Sequence, residues 1–134
     1  MATHNIYVRM HSTDHAHVDL KNESTGTWKT EHPEQFVTVN LVRGDTITWK
    51  PDGNIILKGI KRYSSGANAS DPDIIGPTGR GATDGPLATL NNGELSSTVL
   101  LNSATADEHY IIVYADSANP SVLIEEDPKL RMNT

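Results

Sequence analysis

Apolar and polar residues alternate along much of this chain, and the alternation predicts strands. Ile6, Val8 and Met10 alternate with Tyr7, Arg9 and His11, the period of two that marks a half-buried strand. A first strand is therefore expected at about residues 5–11. After the turn-rich Ser12-Thr13-Asp14, Val18 and Leu20 alternate with His17, Asp19 and Lys21, predicting a second, shorter strand. Residues 22–34 are polar, broken by Gly26 and Pro33, and read as a loop anchored by Trp28. Next, Val37, Val39 and Leu41 form one face of a run, with Phe36, Thr38, Asn40 and Val42 on the other. Gly44-Asp45 turns the chain, and Ile47 and Trp49 resume the alternation. These two runs can pair as a hairpin or pass from one sheet to another across a short corner, and the pattern permits both.

Pro51-Asp52-Gly53 is a strong turn signal, and the apolar run from Ile55 to Ile60 follows it as a further strand. From Arg62 to Pro86 the periodicity disappears into segments such as Ser64-Ser65-Gly66 and Gly76-Pro77-Thr78-Gly79-Arg80-Gly81. A connection of about 25 residues is long for a compact domain, and loops of that length tend to be functional or mobile. A short strand is expected at 87–90, a turn at Asn91-Asn92-Gly93-Glu94, and a longer strand at 95–102. The β-rich segment from His109 to Ala115, a turn at 116–120 and a last strand at 121–126 complete the series. No stretch keeps helical periodicity over three turns. Short strands between turn signals predict an all-β antiparallel sandwich of about seven to nine strands, forming a single domain over residues 1–134.

Composition narrows the picture. With 36% hydrophobic residues and one Phe, a core must rely on Val, Ile and Leu, which favours strands. The chain has no cysteine, which excludes disulfides, thiolate metal sites and cysteine nucleophiles. A formal charge of −6 argues against nucleic acid or an anionic membrane as a partner through bulk electrostatics. Residues 1–5 lack the basic and apolar regions of a signal peptide, and no run reaches the roughly 18 apolar residues of a membrane span. A cytoplasmic protein is the expectation.

The order of these features resembles the cupredoxin-like Greek-key sandwich. The likeness rests on an N-terminal strand, Gly44-Asp45-Thr46-Ile47-Thr48-Trp49, a strand after a polar turn, a long excursion and a late Tyr-rich strand closed by an apolar one. It covers roughly residues 35–127. The closing segment Val122-Leu123-Ile124-Glu125-Glu126-Asp127-Pro128 is similar to that of small bacterial proteins of this fold, although the order of its parts differs. The resemblance implies a mononuclear copper centre and electron transfer. Its first histidine ligand would lie just after the Trp49 strand, where the chain reads Asp52-Gly53-Asn54-Ile55-Ile56. Its cysteine ligand would lie near Tyr114-Ala115-Asp116. A type 1 copper site needs a thiolate together with imidazoles, so a copper-free member is expected, with no cofactor other than a divalent metal at the histidines described next.

The sharpest candidate chemistry is His11-Ser12-Thr13-Asp14-His15-Ala16-His17. On an extended strand, residues two apart share a face, so His15 and His17 could converge on one cation while His11 or Asp14 closes from the turn. The alternative is a polar, solvated strand edge. His-x-His also resembles the metal-binding motif of cupin barrels, with Glu23 as fourth ligand, at a spacing one or two residues too long. Asp71, Asp73 and Asp84 lack the spacing of an EF-hand loop, and no Gly-x-Ser-x-Gly elbow singles out a serine such as Ser64, Ser65, Ser96 or Ser97. Arg43-Gly44-Asp45 is an adhesion tripeptide elsewhere, but here a turn role suffices. Trp28, Tyr63 and Tyr7 could form a carbohydrate-stacking surface, or fill an aromatic-poor core. The leading expectation is a non-catalytic binding or interaction module that recognises a protein or small molecule through residues 62–86, in a homo-oligomer built by sheet edges. Two alternatives remain: a metal-dependent enzyme or metal-binding protein using His11, His15 and His17, and a self-assembling structural or storage protein.

Overall fold

The computed structural model describes residues 2–23, 26–30, 36–39, 41–62, 74–76, 87–100, 105–126 and 129–133. These form strands β1 (Thr3–Met10), β2 (Val18–Asn22), β3 (Phe36–Val39), β4 (Thr46–Pro51), β5 (Ile55–Arg62), β6 (Ile75–Gly76), β7 (Thr89–Asn91), β8 (Glu94–Val99), β9 (Thr105–Asp116), β10 (Ile124–Glu126) and β11 (Lys129–Asn133). One sheet runs β2-β1-β4-β8-β6, with β7 also on β8, and the other runs β10-β9-β11-β3, with β5 also on β9. The described residues contain no helix, and so none long and apolar enough to cross a membrane.

The alternation settles which face is buried. Ile6 and Val8 of β1, Val18 and Leu20 of β2, Ile47 and Trp49 of β4, and Leu95 and Val99 of β8 all lie in the core. Opposite them the second sheet contributes Leu57, Ile60, Tyr110, Ile112 and Tyr114. The largest buried side chain from each side meets at the centre. The Trp49 and Tyr110 rings lie 5.7 Å apart at 59°, and Trp49 Nε1 donates to Tyr110 Oη at 3.3 Å. A buried indole N–H needs such a partner. Burial pushes the Tyr110 phenol well above its ordinary range, which keeps it neutral as that acceptor.

The choice left open for residues 36–50 falls to the corner. β3 runs parallel to β11 in the second sheet, while β4 lies in the first sheet between β1, parallel, and β8, antiparallel. The sandwich is therefore mixed rather than wholly antiparallel, because strands whose connections change sheets can run in the same direction. The corner is built locally. Asp45 N donates to Val42 O at 2.9 Å, and Gly44 takes φ 96°, a left-handed conformation that suits glycine. Gly44 N donates to Val99 O at 2.9 Å, and Val99 N donates to Asp45 O at 2.8 Å. These bonds fasten the corner to the end of β8.

Other differences from expectation have similar causes. Among the described residues there are eleven strands, of which β6, β7 and β10 are only two or three residues long. The predicted strand 121–126 shrinks to β10, since Val122 and Leu123 are 56% and 60% exposed in the turn before it. β11, beyond the last expected strand, pairs with β9 and β3. The excursion 62–86 lies mostly outside the described residues, but Ile74 and Ile75 are fully buried, and Leu87 at its end is 3% exposed. Glu108 Oε1, itself buried, accepts from Ile74 N at 2.9 Å and Ile75 N at 3.2 Å. Leu100 N donates to Ile74 O at 2.7 Å, so this segment is tied to β9 on one side and to the end of β8 on the other. Leu87 is similarly held, its N–H on Ile60 O at 2.8 Å and its carbonyl accepting from Ser97 Oγ at 2.6 Å.

Candidate functional site

Residues 11–17 join β1 to β2 as a compact loop. His11 N donates to His17 O at 2.9 Å, and His17 N donates to Asp14 O at 3.1 Å. Asp14 Oδ1 also accepts from Ala16 N at 3.0 Å. Such Asx turns remove strand geometry, and with it the shared face that the spacing of His15 and His17 suggested.

Each of the three imidazoles faces its own carboxylate, and His17 faces two. His11 Nδ1 lies 2.8 Å from Asp19 Oδ1, and Arg9 Nε donates to the other oxygen of Asp19 at 2.9 Å. His15 Nδ1 lies 3.1 Å from Asp116 Oδ2 at the end of β9. His17 Nδ1 lies 2.6 Å from Glu126 Oε2 of β10, and its Nε2 is 3.5 Å from Asp14. The loop of the first sheet is thus clasped to the β9–β10 hairpin of the second, and Tyr114 Oη adds a bond to His15 O at 2.8 Å. The Ala118 N–H and then the His15 imidazole hold the Asp116 carboxyl below its usual value, against desolvation. Burial, and after it the charges of Glu126 and Asp14, push the Tyr114 phenol up.

Among the described residues, no group of three His, Asp or Glu side chains is arranged to hold a metal ion. Glu23, the fourth ligand of the cupin resemblance, turns away to accept from Asn5 N at 3.0 Å. His109 lies in β9, and His32, Tyr63, Asp71, Asp73, Asp84, Ser64 and Ser65 lie outside the described residues.

The turns that would supply copper ligands under the cupredoxin resemblance lie side by side, for Ser117 N donates to Asn54 O at 3.0 Å. They carry Asp52, Gly53, Asn54 and Asp116. The aspartate of the Arg43-Gly44-Asp45 tripeptide is 4% exposed. Its carboxylate accepts from Ala2 N at 3.0 Å and Val42 N at 3.1 Å and pairs with His4 Nε2 at 2.9 Å. The Ala2 bond, followed by the His4 bond, keeps its carboxyl below the ordinary value. Asp45 is committed to the corner and cannot be offered to an adhesion receptor.

Two further surfaces have the form of binding sites. A groove of about 320 Å³ is lined by Gly76, by Leu87 to Thr89 and by Ser96 to Thr98. On the outer face of the first sheet, Arg9 lies 4.1 Å from the centre of the Trp28 ring, and the Lys21 ammonium 4.8 Å from it. Lys21 is also 5.3 Å from the Tyr7 ring. Sequence reasoning paired Tyr7 with Trp28 but missed the cations between them, although Arg9 and Lys21 occupy outward positions of the same alternating strands. Compared with known proteins, the chain matches no family model and no curated sequence.

Proposed function

We propose that this chain is a non-catalytic binding or interaction module on a cupredoxin-like Greek-key scaffold without a type 1 copper centre, recognising its partner through residues 62–86. The contact between the turn at 51–54 and the turn after β9 supports the reading most directly. The resemblance expects an imidazole and a thiolate from those turns, and they offer carboxylates and an amide instead. Hard oxygen donors of this kind do not make a blue-copper site. Recognition by the excursion draws on its anchors. Residues 77–86 leave from Gly76 and return at Leu87, and both line the same groove. A polar, Gly- and Pro-rich segment attached at both ends to a rigid scaffold is where binding residues are commonly carried.

Alanine substitutions across the polar positions of 62–86, excluding the buried Ile74 and Ile75, test this in the protein's native setting. Loss of partner capture without a change in melting temperature is expected. Retention of every native interaction by all of these variants contradicts the reading.

A further inference from the structure

We propose that the outer face of the first sheet, around Tyr7 and Trp28, is a second binding surface, and that its ligand is an acidic oligosaccharide of the uronate type. The argument begins with register. Lys21 of β2 and Lys50 of β4 both pair with Tyr7 of β1. Because Ile6, Val8, Leu20 and Trp49 are fully buried, their strand neighbours Tyr7, Lys21 and Lys50 point outward. One row across three strands therefore reads cation, phenol, cation over about 10 Å, twice the interstrand spacing.

Trp28 extends this row. Its indole lies against both Arg9 and Lys21 and is only half-buried. Arg9 is held in place by Asp19, whose side chain is 3% exposed, while the Arg9 side chain itself remains 39% exposed. Beside the row, Glu94 lies a loose 3.9 Å from Lys50. Two aromatic rings and three cations on one face match a sugar acid. The rings take the C–H faces of the pyranoses, and the ammonium and guanidinium groups take the carboxylates.

Charge separates this ligand from nucleic acid. A backbone with a phosphate at every nucleotide needs a broadly basic surface, and this chain carries −6 overall. Three local cations suit a short uronate oligosaccharide, whereas a single strand of nucleic acid is bound along a positively charged groove that tracks its backbone. The surface shares the first sheet with β6 and β8, but its centre, at Tyr7, Lys21 and Trp28, lies outside the residues that line the groove at Gly76 and Leu87.

Fluorescence and calorimetry on the full chain, with oligogalacturonate as the probe, test the proposal. The chain has two tryptophans and Trp49 is fully buried, so quenching reports Trp28. The free-acid oligosaccharide is expected to quench it and to bind about tenfold more tightly than its methyl ester, a difference of about 1.4 kcal/mol. Lys21→Gln with Lys50→Gln is expected to remove that preference at an unchanged melting temperature, and Trp28→Ala to lower the calorimetric affinity for acid and ester alike. Equal binding of acid and ester, tighter binding of a single-stranded oligothymidylate, or no binding at millimolar oligogalacturonate overturns the proposal.

Discussion

Asp45 concentrates the physics of the fold in one side chain. Two backbone N–H groups and one imidazole converge on a nearly buried carboxylate, a geometry that favours the ionised form. Removing it orphans those groups, so Asp45→Ala is expected to cost about 3 kcal/mol in urea unfolding. The pH dependence has a definite sign. Because its folded pKa is lowered, the unfolded chain binds the proton more readily. The stabilisation is complete above the unfolded value of about 3.9 and is lost as pH falls through the folded value. Denaturation series between pH 6 and 2 should show a shallower acid loss for Asp45→Asn than for the parent. At this scale the sequence was a partial guide: Gly44-Asp45 reads as a turn, but nothing in the string shows that His4 and Ala2 complete it, 41 and 43 residues away. The histidines show the converse dependence on local conformation. Their spacing is meaningful only on a strand, and β1 ends at Met10, before the loop that carries His15 and His17.

At the scale of elements, strands with one buried face were legible and those fixed by distant partners were not. β1, β2, β4 and β8 show alternation because one side of each faces the core, while β5 reads as an apolar run whose register shifts between Leu57 and Gly59. β6 is two residues of a Gly/Pro-rich segment, and it exists because β8 offers an edge and Glu108 offers an acceptor. That dependence predicts a mutational effect. Glu108→Ala leaves two buried N–H groups unpaired and is expected to cost about 3 kcal/mol, whereas Glu108→Gln keeps an acceptor oxygen and costs about 1 kcal/mol. Hydrogen exchange locates the effect: the Ile74 and Ile75 amides should lose protection first, ahead of the amides of β4 and β9. Uniform loss across all strands would mean that the anchor is not a separate unit. The corner at 42–45 carries a related lesson, since alternation on either side of a turn predicts two strands but not which sheets they join.

For the molecule as a whole, two sheets meet across Trp49 and Tyr110, and the loop at 11–17 clasps their ends through His15 and His17. All-β class and two-sided burial could be read from the sequence. The mixed strand directions and the clasp depend on contacts about a hundred residues apart, which periodicity does not encode. The same end of the molecule decides between a copper-free binding module and a metal-dependent protein, since a metal ion there would have to displace those imidazole–carboxylate pairs. Untagged protein, assayed for copper and zinc and then melted with and without each ion, tests this most directly. A metal held at one hundred times its dissociation constant adds about 2.7 kcal/mol, or roughly 10 °C in melting temperature for a chain of this size. The account predicts no stoichiometric metal and no such rise. One equivalent of retained copper or zinc, with a melting temperature that climbs on its addition and falls on chelation, would contradict it.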